Sequence, residues 1–555
     1  MTTKKILTYI VSVLCLAGLC YLLTLRSARY DMTADKRYSL SQPTERLLGG
    51  MTKPIEVIIY LDGELNAGFL RLRDATADLL DEMDAVSAHG LTYRFHNPHD
   101  VADPQQHYQE LAARGLTPTV IYDKDKSGNN RQILVFPWAE LKYGGKTIAV
   151  SLLKNVRGQS GEENLNASIE TLEYEITDAL RMLVKKGVRH VAFLEGHGEL
   201  PEAYTYDLTV ALSRYFQVDR GVLQHDASVL DGFEAVIIAG PKQAFSERDK
   251  FIIDQYIMRG GKVLWMLDGV RFDYASLSTE GLTPAIALDL NLTDMLFHYG
   301  IRVNAGLLQD EQCLPVPVNV APQGQNPDYQ PIPWHYQPLL LPSPLHPASS
   351  HTTQVIATFP STLDFVGSGS DVEASLLLVS SEASRVIPTP AKVDLMPQRV
   401  SDEDFPKSYL PVGAMLEGQF TSAFSHRIAP DSIVNAAPFA PKSVKTKMAV
   451  FACGSLARND VENSQVVPLG FDRYTQTQFG NRDLLLNTIL YLTDDAGWIQ
   501  LRQKQFTLRL LNTTAVRRSK TMVQATLIVV PAVLLFIFGI AYNLLRRPRR
   551  KSTKD

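Results

Sequence analysis

Apolar side chains recur every three or four residues at Phe69, Leu72, Thr76, Leu79, Leu80, Met83 and Val86, a spacing that predicts a helix burying one face up to about residue 88. The stretches on either side, PIEVIIYLDG and LTYRFHNP, lack that period and read as strands. A short helix precedes them in SLSQPTERLLGGM, closed by Gly49 and Gly50. A polar helix near 104–114 and strands near 119–123, 131–137 and 146–153 complete a small α/β unit, placed at residues 26–155. Ile169, Leu172, Ile176, Leu180 and Leu183 then mark a linking helix within 156–186.

From residue 187 strand and helix patterns alternate. VRHVAFLEG, QVDRGVL, FEAVIIAGP and KVLWMLDG read as strands, with helices in YDLTVALSRYF and ERDKFIIDQYIMR. Ser246 and Asp249 form a capping pair for the second helix, and Gly260 with Gly261 ends it. This order predicts right-handed crossovers and a parallel sheet covered on both faces. The unit spans 187–500 and carries an insertion at about 271–445. Ten prolines between residues 314 and 348 favour extended, irregular structure over helix or central strand, so the insertion is expected to be only partly β. Regular patterns return in ASLLLVSS, LPVGAMLEGQF, MAVFACGS and NRDLLLNTILYLTDD, which are expected to rejoin the same sheet.

Two stretches are apolar without periodicity. Residues 6–25 are twenty positions without a charge, enough helix to match about 30 Å of hydrocarbon. A cleaved signal peptide is the competing account, but Leu19 stands where a lipobox needs a small residue before Cys20, which favours an uncleaved anchor after a cytoplasmic 1–5 segment. Residues 522–545 are also charge-free, with Pro531 tolerable in a membrane helix, and follow a juxtamembrane 501–521 segment. Arg546, Arg547, Arg549, Arg550 and Lys551 in the 546–555 tail form a basic stop that belongs in the cytoplasm. Two spans put both termini on one side and residues 26 to 520 outside.

Composition narrows the classes. Apolar residues at 45% and charged ones at 21% suit a folded protein, and a net charge of -4 offers no broad attraction for nucleic acid. Cys15 and Cys20 lie in the apolar stretch while Cys313 and Cys453 stand apart, so no disulfide framework or zinc spacing appears, although a single disulfide stays open.

Candidate chemistry is sparse. KYGGKTIAV contains Gly-Lys-Thr, but Glu140 stands where a P-loop needs its first glycine, and a hairpin turn accounts for Gly144 and Gly145. GHGELP approaches the dinucleotide fingerprint, with Asp219 where a ribose-binding acid would fall. Pro201 replaces the last glycine, however, and Glu195 and Glu199 would repel a pyrophosphate. His197 and Glu199 at a strand end could bind a ligand or share a proton, yet lack the further ligands of a metal site. Cys453 in FACGS misses the glycine of a nucleophile elbow. The tentative ligand-binding set is Glu195, His197, Glu199 and Asp268, with no catalytic residue, metal or cofactor assigned.

RYDMTADKRYSLSQPT, VIIYLDGELNAGFLRLRDATADLLDE, FLEGHGE, GNRDLLLNTILYLTDD and LRLLN before the last apolar stretch together resemble the GldG family, gliding-motility-associated ABC transporter components of Bacteroidetes. The resemblance spans nearly the whole chain. It implies an amidotransferase-like (flavodoxin-like) α/β domain and partnership with an ABC permease (GldF-like) and ATPase (GldA-like); with the two apolar spans, the expectation is contact with the lipid bilayer and a bacterial inner-membrane location with a periplasmic body. It supplies no catalytic residues and specifies no cargo. Lacking a Walker motif, and with too few spans for a permease, the chain is expected to be a non-catalytic auxiliary or substrate-binding component. The alternative is a cell-envelope hydrolase or glycan-binding protein using the 195–199 turn.

Overall fold

The computed structural model describes residues 39–124, 130–154, 160–184, 187–321, 326–350, 352–367, 371–395, 400–431, 433–435, 437–462, 465–494, 497–499 and 519–546. The proposed anchor at 6–25, the juxtamembrane stretch up to residue 518 and the basic tail beyond Arg546 lie outside them. The described residues form a mixed α/β architecture in two compact units, one within 1–505 and one within 506–555.

The first unit begins with a four-stranded sheet. Strand β1 (Ile55–Ile59) lies between β2 (Leu91–Phe95), parallel to it, and β5 (Trp138–Tyr143), antiparallel, with β6 (Lys146–Ser151) beyond. Between β2 and β5, β3 (Thr119–Lys124) and β4 (Asn130–Val135) form a separate hairpin. Helices α1 (Gln42–Gly50), α2 (Ala67–Val86) and α4 (Gly161–Val184) share a core with one face of the sheet, through Leu48, Leu72, Leu80, Ile176 and Leu180; Leu111 of α3 (Pro104–Ala113) packs with Ile58 and Tyr60 on the other. The apolar stripe of α2 is buried at Phe69, Leu72, Thr76, Leu80 and Met83, while Val86, the last helical residue, stands exposed. Asn66 caps α2, its side-chain oxygen accepting the Gly68 and Phe69 N–H groups. Gly144 and Gly145 both adopt positive φ, +57° and +84°, as a two-residue hairpin between β5 and β6 requires.

A larger sheet follows. Its parallel part runs β8 (Gln217–Gly221), β7 (His190–Leu194), β9 (Ala235–Ala239), β10 (Val263–Met266) and β15 (Thr446–Phe451), so the strands stand in the order 2-1-3-4-5 by sequence. Helix α5 (Glu202–Ser213) and α7 (Asn481–Leu492) pack on one face and α6 (Glu247–Met258) on the other, which explains why β9 is buried along its whole length. An antiparallel extension continues past β15 through β14 (Pro411–Gly418), β13 (Val372–Val379), β12 (Tyr329–Pro342) and β11 (Cys313–Asn319).

The proline-rich segment is β in part, as expected of the insertion, and β12 is fourteen residues of strand next to the sheet edge. The reason lies in the spacing. Pro315 faces Pro333 and Pro317 faces Pro331, so these prolines occupy alternate cross-strand pairs and leave Val316 with Ile332 and Val318 with Gln330 to carry the ladder.

The second unit contains helix α8 (Lys520–Arg546), which includes Pro531 and a 19-residue apolar stretch, Gln524–Tyr542, long enough to cross a membrane.

Candidate functional site

Strand β7 ends at Leu194, and the next five residues turn within hydrogen-bond reach of the loop after β9. Gly196 and Gly198 make this possible, holding φ values of +113° and +74° that side chains with a Cβ rarely adopt. The His197 carbonyl accepts the N–H groups of Lys242 at 2.8 Å and Gln243 at 2.9 Å. Because the sheet order reverses between β7 and β9, this is the crevice at which doubly wound sheets hold ligands.

Here the chain fills the crevice itself. His197 is only 7% exposed, and its ring stacks on Phe245 at 3.7 Å between centroids. Nδ1 faces Glu199 Oε1 at 3.1 Å, Nε2 faces Asp249 Oδ2 at 3.3 Å, and the His197 N–H donates to Glu199 Oε2 at 2.7 Å. Burial works against charging the ring, but hydrogen bonds to Asp249 and then Glu199 outweigh it and raise the His197 pKa to about 9. Asp249 also accepts the Ser246 hydroxyl at 2.6 Å; although burial opposes it, bonds to His197 and Ser246 lower its pKa. At neutral pH the imidazolium has both N–H groups committed to carboxylates, leaving no lone pair to accept a proton from a substrate.

Glu195 lies outside this clasp. It pairs with Arg220, whose Nε donates at 2.7 Å, and whose other nitrogens reach Thr205 Oγ1 and the Leu200 carbonyl at 3.0 Å each. Asp268, just after β10, is buried; it accepts the Gly454 N–H at 2.6 Å and an ion pair from the Lys242 ammonium. Lys242 thus connects the two halves of the expected site, holding His197 through its backbone and Asp268 through its side chain. The geometry brings His197, Glu199 and Asp268 into one network and leaves Glu195 at its rim. Asp249, Lys242, Phe245 and Arg220 belong to the network but were not among the expected site residues. Only Asp249 left a trace in the sequence, as the capping partner of Ser246.

The other candidates resolve individually. Asp219 Oδ2 is 2.9 Å from His190 Nδ1. Cys453 is fully buried, and burial followed by the nearby Asp268 charge pushes its thiol pKa up to about 12, the reverse of what a nucleophile needs. Cys313 and Cys453 are both free thiols. Among the described residues no group of three His, Cys, Asp or Glu side chains is placed to hold a metal ion.

An open cavity of about 410 Å³ lies beside the network. Ser455 and Arg458, which follow β15, form one wall, and Trp334 and Gln337 of β12 form another, with Phe471 and Asp472 at the side. Ser455 is the neighbour of the glycine that Asp268 holds, so the clasp and the cavity share the loop after β15.

Comparison with known proteins bears on these features together. No curated protein matches the chain. Among solved structures, the mmIFT52 N-terminal domain is similar at 16% identity with a TM-score of 0.32, covering 55% of this chain and 98% of that one, a likeness too slight to support an argument. Residues 34–142 match a domain of unknown function (DUF7088). Residues 189–488, more than half of the chain and including the whole network and the cavity, match the family model described as an ABC-type uncharacterized transport system. The chain therefore belongs to this ABC transporter auxiliary family.

Proposed function

We propose that the protein is a non-catalytic auxiliary or substrate-binding component of an ABC transporter complex serving gliding motility or envelope export. Its partners in this proposal are a GldF-like permease and a GldA-like ATPase. The observation that carries the proposal is the crevice between β7 and β9, where His197, Glu199, Asp249 and Phe245 satisfy one another in the space a substrate would need. The 2-1-3-4-5 strand order supports a flavodoxin-like, amidotransferase-like core for residues 187–500, and the separate first sheet supports a distinct unit at 26–155. The cavity beneath β12 is the place we assign to a cargo group. In this arrangement the body is periplasmic, anchored in the inner membrane by residues 6–25 and by α8, with both termini cytoplasmic.

Co-purification tests the proposal. The tagged chain, expressed with a GldF-like permease and a GldA-like ATPase and solubilised gently, should recover both subunits; repeated recovery of the chain alone would overturn it. A second reading, an envelope hydrolase or glycan-binding protein, is favoured by the position of the 195–199 turn at the carboxyl end of β7. It requires that His197→Gln and Glu199→Gln abolish function while the protein stays folded.

A further inference from the structure

We propose that a basic cleft at the opposite edge of the parallel sheet binds a phosphate-bearing anion. The cleft, about 840 Å³, lies at the amino-terminal ends of the strands: Arg189, Glu234 and Lys262 immediately precede β7, β9 and β10. Its far wall comes from Lys146 at the start of β6 and Arg181 on α4, and Arg214 follows α5. Five cations thus line it against two carboxylates, Glu234 and Asp494, a surplus of positive charge in a chain whose net charge is -4.

The acids are already engaged. Glu234 accepts Arg189 Nε at 2.6 Å, and Asp494 Oδ2 accepts the Ile499 N–H at 2.8 Å. Arg181 is balanced from outside the lining by Asp178 at 2.9 Å. Among the described residues Lys146 and Arg214 have no ion-pair partner; Arg214 lies over the Tyr215 ring, 5.7 Å from its centroid. The cations come from chain segments far apart in sequence, so no single basic run accounts for the cluster. Lys146 and Arg214 thus stand without a counter-charge in a concave site beside three further cations, and a phosphate offers several oxygens to guanidinium and ammonium donors together. Met182, Leu490 and Trp498 add an apolar ledge that suits the carbon part of a phosphate ester. Such a group could come from a lipid headgroup or from a soluble phosphate.

Trp498 supplies the reporter, with Trp498→Phe identifying its share of the emission. The full chain in uncharged detergent is titrated at constant ionic strength with inorganic phosphate and with glycerol 3-phosphate. In parallel it is placed in nanodiscs of phosphatidylcholine with or without phosphatidylglycerol. A saturable change is expected, weakened about tenfold or more by Lys146→Gln with Arg214→Gln and retained by Arg214→Lys. Saturation in detergent assigns a soluble phosphate; a change confined to phosphatidylglycerol discs assigns a headgroup. No saturable change in either setting, or wild-type affinity in the folded double variant, would overturn the proposal.

Discussion

At the scale of single residues the protein is organised around a charged histidine that the chain keeps for itself. The folded state holds the His197 proton more tightly than the unfolded chain does, raising the pKa from 6.5 to about 9. Its contribution to stability is therefore complete below 6.5 and disappears as the pH climbs through about 9. His197→Ala should cost on the order of 3 kcal/mol at neutral pH, because it leaves Glu199 and Asp249 without their cation. The gap between variant and wild-type melting temperatures should shrink between pH 7 and 10, and a constant gap would rule out the clasp. Gly454 offers a second test. A Cβ there would stand 2.7 Å from both Asp268 Oδ2 and the Gly240 Cα, whereas one at Gly232 meets nothing within 4 Å. Gly454→Ala should destabilise by about 1–3 kcal/mol and Gly232→Ala by far less, as denaturant unfolding would show.

At the scale of elements, local pattern succeeded where one face of an element was decisive. The α2 stripe as far as Met83, the Ser246 cap and the Gly144–Gly145 hairpin appear where spacing places them. Ser246→Ala should cost about 1 kcal/mol from the lost cap, measured by thermal unfolding, with a further loss if Asp249 swings from His197. Proline content predicted a partly β segment but not which of its positions pair, because it was weighed without register. Whether a proline breaks a strand depends on which cross-strand pair it enters, and only the partner strand determines that. Ile332→Pro, placed in the class of pairs that carries the ladder, should cost about 1–3 kcal/mol through the lost ladder bond and expose β12 to limited proteolysis. A wild-type proteolysis pattern would contradict the register argument.

At the scale of the whole molecule, a body whose two largest sheets have four and ten strands among the described residues belongs to a chain that also carries an apolar helix of membrane-spanning length. If residues 6–25 anchor the chain as proposed, deleting residues 520–555 alone should leave it in carbonate-washed membranes, while deleting both segments should release it. Release by the first deletion would remove the N-terminal anchor from the account. Accessibility labelling of the basic tail tests the proposed topology separately.

The sequence by itself determined the periodic elements, the apolar segments and the absence of a complete nucleotide-binding motif, because these depend on spacing along one chain. It also singled out His197, Glu199 and Asp268, since polar residues at the ends of apolar strands stand out locally. Only the tertiary structure decided what those residues do. Lys242, Asp249 and Phe245 reach them from other strands and helices, and the same crossing of distant segments gathers five cations into one cleft. Charge state and open space depend on those neighbours, and folding alone chooses them.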